Sequence, residues 1–306
     1  MRLSNRLAVI ACAALIAACT GSGSASPSAS PASPSGSPGS SATSGPDPDT
    51  ATYWLRAMTT QALPPINRFP SQPAVVITGD GQWITQGPVM EIYPGPLLPN
   101  LRSRQVSEAG RAAILVAAKD LGLLDGRTDF SAGPVLAGGV SGRIELTVGG
   151  RRIEITGNPA SLMECVTAPC EPPAGSAAAF AEFWRRLGDL PSWIPGELGP
   201  DVEYVSPAYA ILVGHAPLPD ASLPQPPMVW PLAQPLALFG GPVAGGTARC
   251  GTASGDDATT LRAAFAKANV LTQWAQDPST SATLGVTVRP MVPGEDVCRE
   301  LFGAGG

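Results

Sequence analysis

A chain of 306 residues with a formal charge of −5 and a single histidine leaves several functions without means. The acidic balance is ill suited to gripping a phosphate backbone, so no nucleic-acid partner is expected. His215 is the only imidazole, and any serine or cysteine triad must pass through it.

In chain order, Arg2 and Arg6 precede an apolar run from Leu7 to Ala18. That is signal-peptide length and falls short of the roughly 20 residues a membrane span needs. The run ends Leu15-Ile16-Ala17-Ala18-Cys19, which resembles a bacterial lipobox. The resemblance implies that residues 1–18 are a signal peptide removed before Cys19. Cys19 would then be lipidated on sulfur, with palmitate or a similar acyl group on the new N-terminus. The product would be an extracytoplasmic protein held at the cell membrane by its lipid. An ordinary signal peptide cut near Ala18, or an uncleaved anchor, is the alternative. Loss of Arg2 and Arg6 would take the charge from −5 to −7.

Residues 19–50 are almost wholly Ser, Pro, Gly, Ala and Thr. They have nothing to bury, which predicts a disordered tether with a reach of roughly 30 Å. Beyond it, residues 51–195 and 196–306 read as two α+β regions, the second packed on the first.

In the first region, Val75-Val76-Ile77-Thr78 and Gln82-Trp83-Ile84-Thr85 flank Gly79-Asp80-Gly81, a hairpin signal. Residues 92–99 read as an extended proline-rich strip packing Tyr93 and its leucines. Ser107 caps a helix with Ile114, Ala117, Ala118 and Leu121 on one face and Gly122 past its end. A second hairpin turns at Gly149-Gly150, which sets Leu146 against Ile153 and Ile144 against Ile155. Its other face, with Arg143, Glu145, Arg152 and Glu154, is expected to be wet. Phe180, Phe183, Trp184 and Leu187 form a helical stripe starting at Ser176. The fold class that follows is α+β: antiparallel hairpins with helices on one face of the sheet, joined by proline-rich loops.

The T-G-D-G turn at residues 78–81, I-Y-P-G-P-L-L-P-N-L at 92–101, G-L-L-D-G at 122–126 and I-E-L-T-V-G-G-R-R at 144–152 resemble a family of exported lipoproteins from GC-rich bacteria. The resemblance extends to Arg249-Cys250-Gly251 and the R-P-M-V-P-G-E stretch at 289–295. It implies a fold and a compartment, and it carries no catalytic residues across.

In the second region, residues 202–205 and 209–213 read as strands, and 215–235 as a proline-rich span. Asp256 or Asp257 is expected to cap a helix bearing Leu261, Ala264, Phe265 and Ala268. Leu284, Val286 and Val288 alternate as a last strand.

Cys165, Cys170, Cys250 and Cys298 allow three disulfide pairings. Proximity favours Cys165–Cys170, leaving Cys250–Cys298. There is no C-x-x-C pair, so no metal is expected. No phosphate loop, dinucleotide fingerprint or H-E-x-x-H is present, and no cofactor is expected. Glu145 with Glu154, and Asp256 with Asp257, are the carboxylates a hydrolase would use, but the first pair reads as solvated and the second as a helix cap.

Trp193 and Trp230 lie in proline-bounded loops, where rigid aromatic area suits a partner surface. The expectation is a non-catalytic binding or interaction module for a protein, a wall polymer or a small ligand, with those two tryptophans as anchors. A hydrolase with an unrecognised carboxylate site is the alternative.

Overall fold

The computed structural model describes residues 53–131, 140–160, 172–218, 220, 222–243, 246–277 and 282–303. Residues 1–18, the tether at 19–50 with Cys19, and Cys165 with Cys170 lie outside the described residues. Those described all belong to one compact unit, Ser44–Gly306.

The first sheet contains β1 (Tyr53–Gln61), β2 (Val75–Thr78), β3 (Gln82–Gln86), β4 (Leu101–Gln105), β5 (Asp129–Phe130), β6 (Val140–Val148), β7 (Arg151–Gly157) and β8 (Val202–Glu203). Its spatial order is β5-β7-β6-β1-β2-β3-β4-β8, antiparallel except where β5 joins β7. The hairpin register is as expected, with Leu146 opposite Ile153 and Ile144 opposite Ile155. Gly149 and Gly150 make the turn at φ of +57° and +77°, which glycine adopts without steric cost. Strand β1 has no clear alternating pattern. On β1, Leu55 and Ala57 are buried on one face and Arg56 on the other, so period two is hidden.

After β1 comes a short helix, α1 (Pro65–Arg68), and helices α2 (Glu108–Asp120), α3 (Ala177–Gly188) and α4 (Leu190–Trp193) accompany the first sheet. Ser107 Oγ accepts from Gly110 N–H at 3.0 Å and Ser176 Oγ from Ala179 N–H at 3.1 Å, so both long helices begin at the expected caps. Ile114, Ala118, Phe180, Phe183 and Leu187 meet Leu55, Ala57, Ile77, Ile144 and Leu146 in one apolar core. Helix α3 sits close because Gly142 and Gly157, paired across β6 and β7, leave a trough under Trp184 and Phe180.

The second sheet contains β9 (Ala208–His215), β10 (Met228–Val229), β11 (Gly241–Pro242), β12 (Arg249–Ser254), β13 (Gln273–Ala275) and β14 (Leu284–Pro290), in the order β10-β13-β14-β9-β12-β11. Helix α5 (Gly255–Phe265) buries Leu261 and Phe265 on one face of it, with Tyr209, Ile211, Val286 and Val288. The cap differs from expectation. Ser254 holds the N-cap position without a side-chain bond, and Asp256 and Asp257 stand in the first turn, where they favour the helix dipole.

On the sheet's other face, Ala210, Leu212 and Cys250 meet Phe69 and helix α6 (Val297–Phe302). The Cys250–Cys298 disulfide fastens α6 to β12, as one of the three pairings required. Val292 and Tyr204 join Tyr53, Val76 and Ile84 in a further cluster on the side of the first sheet away from α2 and α3.

Candidate functional site

A polar cleft of about 540 Å³ lies between the bare face of the first sheet and the α6 side of the second. Strand β1 brings Arg56 and Met58, and β6 brings Arg143 and Glu145. Strand β14 brings Arg289, and α6 brings Glu300 and Leu301. The end of α1 adds Arg68, and the segment after it Ser71 and Gln72. Its volume falls within the range of about 300–1,000 Å³ usual for small-molecule sites.

Register explains how the charges meet. Arg56 on β1 lies directly opposite Glu145 on β6. Its Nε donates to Glu145 Oε2 at 3.2 Å and its Nη2 to Oε1 at 3.3 Å, a two-pronged contact. Tyr53 donates its hydroxyl to the same carboxylate. Arg143 reaches Glu145 at 3.2 Å and Glu154 at 3.8 Å. Glu145 is only 5% exposed, which corrects the expectation of a solvated polar face. Over Glu145 that side of the hairpin is covered by the second half of the chain and ion pairing satisfies the charge, while Arg152 and Glu154 on β7 stay exposed as expected.

Burial works to raise the Glu145 pKa, but the Tyr53 hydroxyl, Arg56 and Arg143 outweigh it and hold the carboxyl below the usual range. Tyr53 is pushed up to about 12, by burial first and then by its bond to Glu145. Its ring carries Arg152 at 4.3 Å and Arg56 at 4.7 Å, so two guanidiniums stack on one tyrosine.

Across the cleft, Arg289 pairs with Glu295 and donates to the Phe69 carbonyl at 3.4 Å. Glu295 also accepts from Val292 N–H at 3.0 Å. Burial pushes the Glu295 carboxyl above its ordinary range, against the pull of Arg289 and the Val292 N–H.

Several polar atoms of this lining are sealed from solvent and have no hydrogen-bond partner among the described residues: Nε of Arg68, Arg143 and Arg289, and both amide atoms of Gln72. Buried polar atoms are ordinarily satisfied, and leaving one unpaired costs about 1–3 kcal/mol. Four such residues line this one cleft, from both of its sides.

The tryptophans expected to anchor a partner are placed otherwise. Trp230 is 2% exposed, packs edge-on against Phe239 and Trp274, and donates its Nε1–H to the Gln234 carbonyl at 3.0 Å. The proline-rich span pins this residue into the second core, so it offers no surface. Trp193 is half-buried, edge-on to Phe183 and under the Arg186 guanidinium at 5.7 Å. Neither lines the cleft. His215 ends β9, exposed, with Thr247 Oγ1 at 3.3 Å from its Nε2. Asp256, Asp257 and Glu154 also lie outside the cleft lining. Among the described residues, no group of three or more His, Cys, Asp or Glu side chains is placed to hold a metal.

A second, apolar groove of about 700 Å³ runs between the segment at 88–100 and β14, where Val286 and Val288 form its floor. Leu97 packs as the strip's pattern suggested, but Val89, Met90, Ile92 and Tyr93 are each more than half exposed.

The missed cleft residues had little signal. Arg68, Gln72, Arg289 and Glu295 are dispersed along more than 220 positions of sequence, and only folding brings them together. Comparisons with family models, curated proteins and solved structures found no match.

Proposed function

We propose that this chain is a lipid-anchored extracytoplasmic binding module, and that its ligand is a small polar molecule held in the cleft between the sheets. One observation carries the reading: Arg68, Gln72, Arg143 and Arg289 all line a single concavity of small-molecule size, and each keeps a buried polar atom without a hydrogen-bond partner. A fold that leaves such groups unpaired in isolation recovers the loss when a ligand pairs them. The anchor rests on the signal-like residues 1–18 and Cys19. Among the described residues no helix is long and apolar enough to cross a membrane.

The competing reading is a carboxylate-based hydrolase. The opposite displacements of Glu145 and Glu295 favour it, because divergent pKa values suit an acid and a base. Against it, Glu145 is held by two arginines and a tyrosine, and the Glu295 side chain is 1% exposed, shut away from any substrate.

The test is Gln72→Leu in the full chain. The change removes two unpartnered atoms, so thermal stability is expected to hold or rise. A small-molecule panel that raises the melting temperature of the native protein is expected to lose its effect on the variant. A variant that melts several degrees lower, with ligand response intact, would show Gln72 to be structural and would end this assignment of the cleft. For the anchor, Cys19→Ala is expected to shift the protein out of the membrane fraction, while Cys12→Ala leaves it attached.

A further inference from the structure

The cleft's charges do not balance. Its lining carries four guanidiniums, Arg56, Arg68, Arg143 and Arg289, against three carboxylates, Glu145, Glu295 and Glu300. Every carboxylate has its cation: Glu145 is shared by Arg56 and Arg143, Glu295 is paired with Arg289, and Glu300 lies 3.8 Å from Arg56. Arg68 is left over. No side-chain hydrogen bond, ion pair or ring contact engages it among the described residues, and its Nε is buried without a partner. The other two nitrogens of its guanidinium are not sealed in this way. A guanidinium offers a planar fork of donors that fits a carboxylate through two parallel bonds.

Four positions along the same segment, Gln72 holds one unpartnered donor and one unpartnered acceptor, both shut off from solvent, so a ligand meets them when the side chain turns outward. A hydroxyl or an amide answers both at once, since each can donate and accept. The lining contributes no aromatic side chain on which a sugar ring or a base would stack. Recognition there must therefore come from charge and hydrogen bonding.

We propose that the ligand is a small monocarboxylate carrying a hydroxyl or amide near its carboxyl group, with Arg68 gripping the carboxylate and Gln72 the neighbouring group. A single negative charge matches the single unpaired cation. Hydroxy acids and the carboxy ends of short peptides both present this chemistry. The inference rests on the cleft being a ligand site, as proposed above.

Isothermal titration of the full chain decides it with matched probes. D-gluconate carries the carboxylate with hydroxyls, and N-acetyl-L-alanine carries it with an amide. D-glucose and N-acetyl-L-alanine amide lack the charge, and inorganic phosphate supplies an anion of different shape. Binding of gluconate alone would identify the hydroxy acids, and of N-acetyl-L-alanine alone the peptide ends. Either is expected to weaken at least tenfold in Arg68→Ala, with Arg68→Lys recovering part of the loss. Arg68→Lys keeps most of the half-buried apolar stem, so its melting temperature is expected to stay near that of the native protein and to separate lost binding from lost packing. Neutral probes binding as tightly as the acids, or phosphate binding tighter than either acid, would overturn the carboxylate while leaving the cleft a ligand site. No binding by any probe at millimolar concentration would overturn both.

Discussion

Glu145 stands directly across the β6–β7 hairpin from Glu154, and one guanidinium, that of Arg143, reaches both. Like charges opposite one another repel. The pair is tolerated because the two carboxylates live in different media. Glu154 remains about half exposed, while Glu145 is sealed in with Arg56 and Tyr53.

Glu145→Gln is expected to destabilise the protein by about 3 kcal/mol at neutral pH, because it leaves the Arg56 charge buried with only a distant partner. The effect has a definite pH sign. The folded pKa of Glu145 lies below the unfolded value of about 4.3, so its stabilisation is present above that value and is lost as pH falls through the folded one. Urea unfolding of both proteins is expected to show the gap narrowing as the pH falls below about 4. A gap that stays constant into strong acid would contradict this account of the ion pair.

Gly157→Ala tests how tightly α3 is seated. A Cβ there would stand 2.5 Å from the Phe180 ring, whose position is set by the surrounding core. The expected cost is about 1–3 kcal/mol, read as a lower denaturation midpoint. Gly188→Ala, at the end of the same helix, would meet nothing within 4 Å and is expected to be neutral or slightly stabilising. Equal effects from both changes would mean that the trough is not what holds the helix.

The contrast between those glycines and the cleft shows what the sequence could disclose. Hairpins and helices were legible where one face is apolar and the other wet, as in the hairpin built on Ile144 and Ile155 or the stripe from Phe180 to Leu187. Legibility failed where polar residues are themselves buried. Arg56 and Glu145 look like surface residues in a linear pattern, because only the covering second half of the chain turns their face inward. Trp230 failed in the opposite sense: its neighbouring prolines suggested a presenting loop, and instead they hold the loop against the core. Arg68 and Gln72 carry no spacing signal at all, and their importance lies in partners they lack.

The disulfide ties the cleft's wall to its frame. Cys298 lies in α6, which contributes Val297, Glu300 and Leu301 to the lining, and Cys250 lies in β12. For a sequence separation of 48, chain entropy makes the bond worth about 4 kcal/mol. Cys298→Ser is expected to lower stability by up to that amount and to weaken ligand capture more than capture falls in Gly157→Ala, whose damage lies on the far side of the first sheet. Non-reducing peptide mapping that joined Cys250 to any cysteine other than Cys298 would refute the arrangement.

The hydrogen bond from Arg289 to the Phe69 carbonyl spans 220 positions of sequence, and that from Tyr53 to Glu145 spans 92. Contacts so far apart form only after large loops have closed, which places this protein among slow folders rather than fast ones. It also orders events. The helix-covered half of the first sheet can condense around β1, β2 and β6 with residues up to 188, but the cleft has no second wall until β14 and α6 have docked. A nascent or partly folded chain therefore has secondary structure long before it has a place for a ligand. A ligand bound in the cleft would act as a late clamp, slowing unfolding more than it hastens folding.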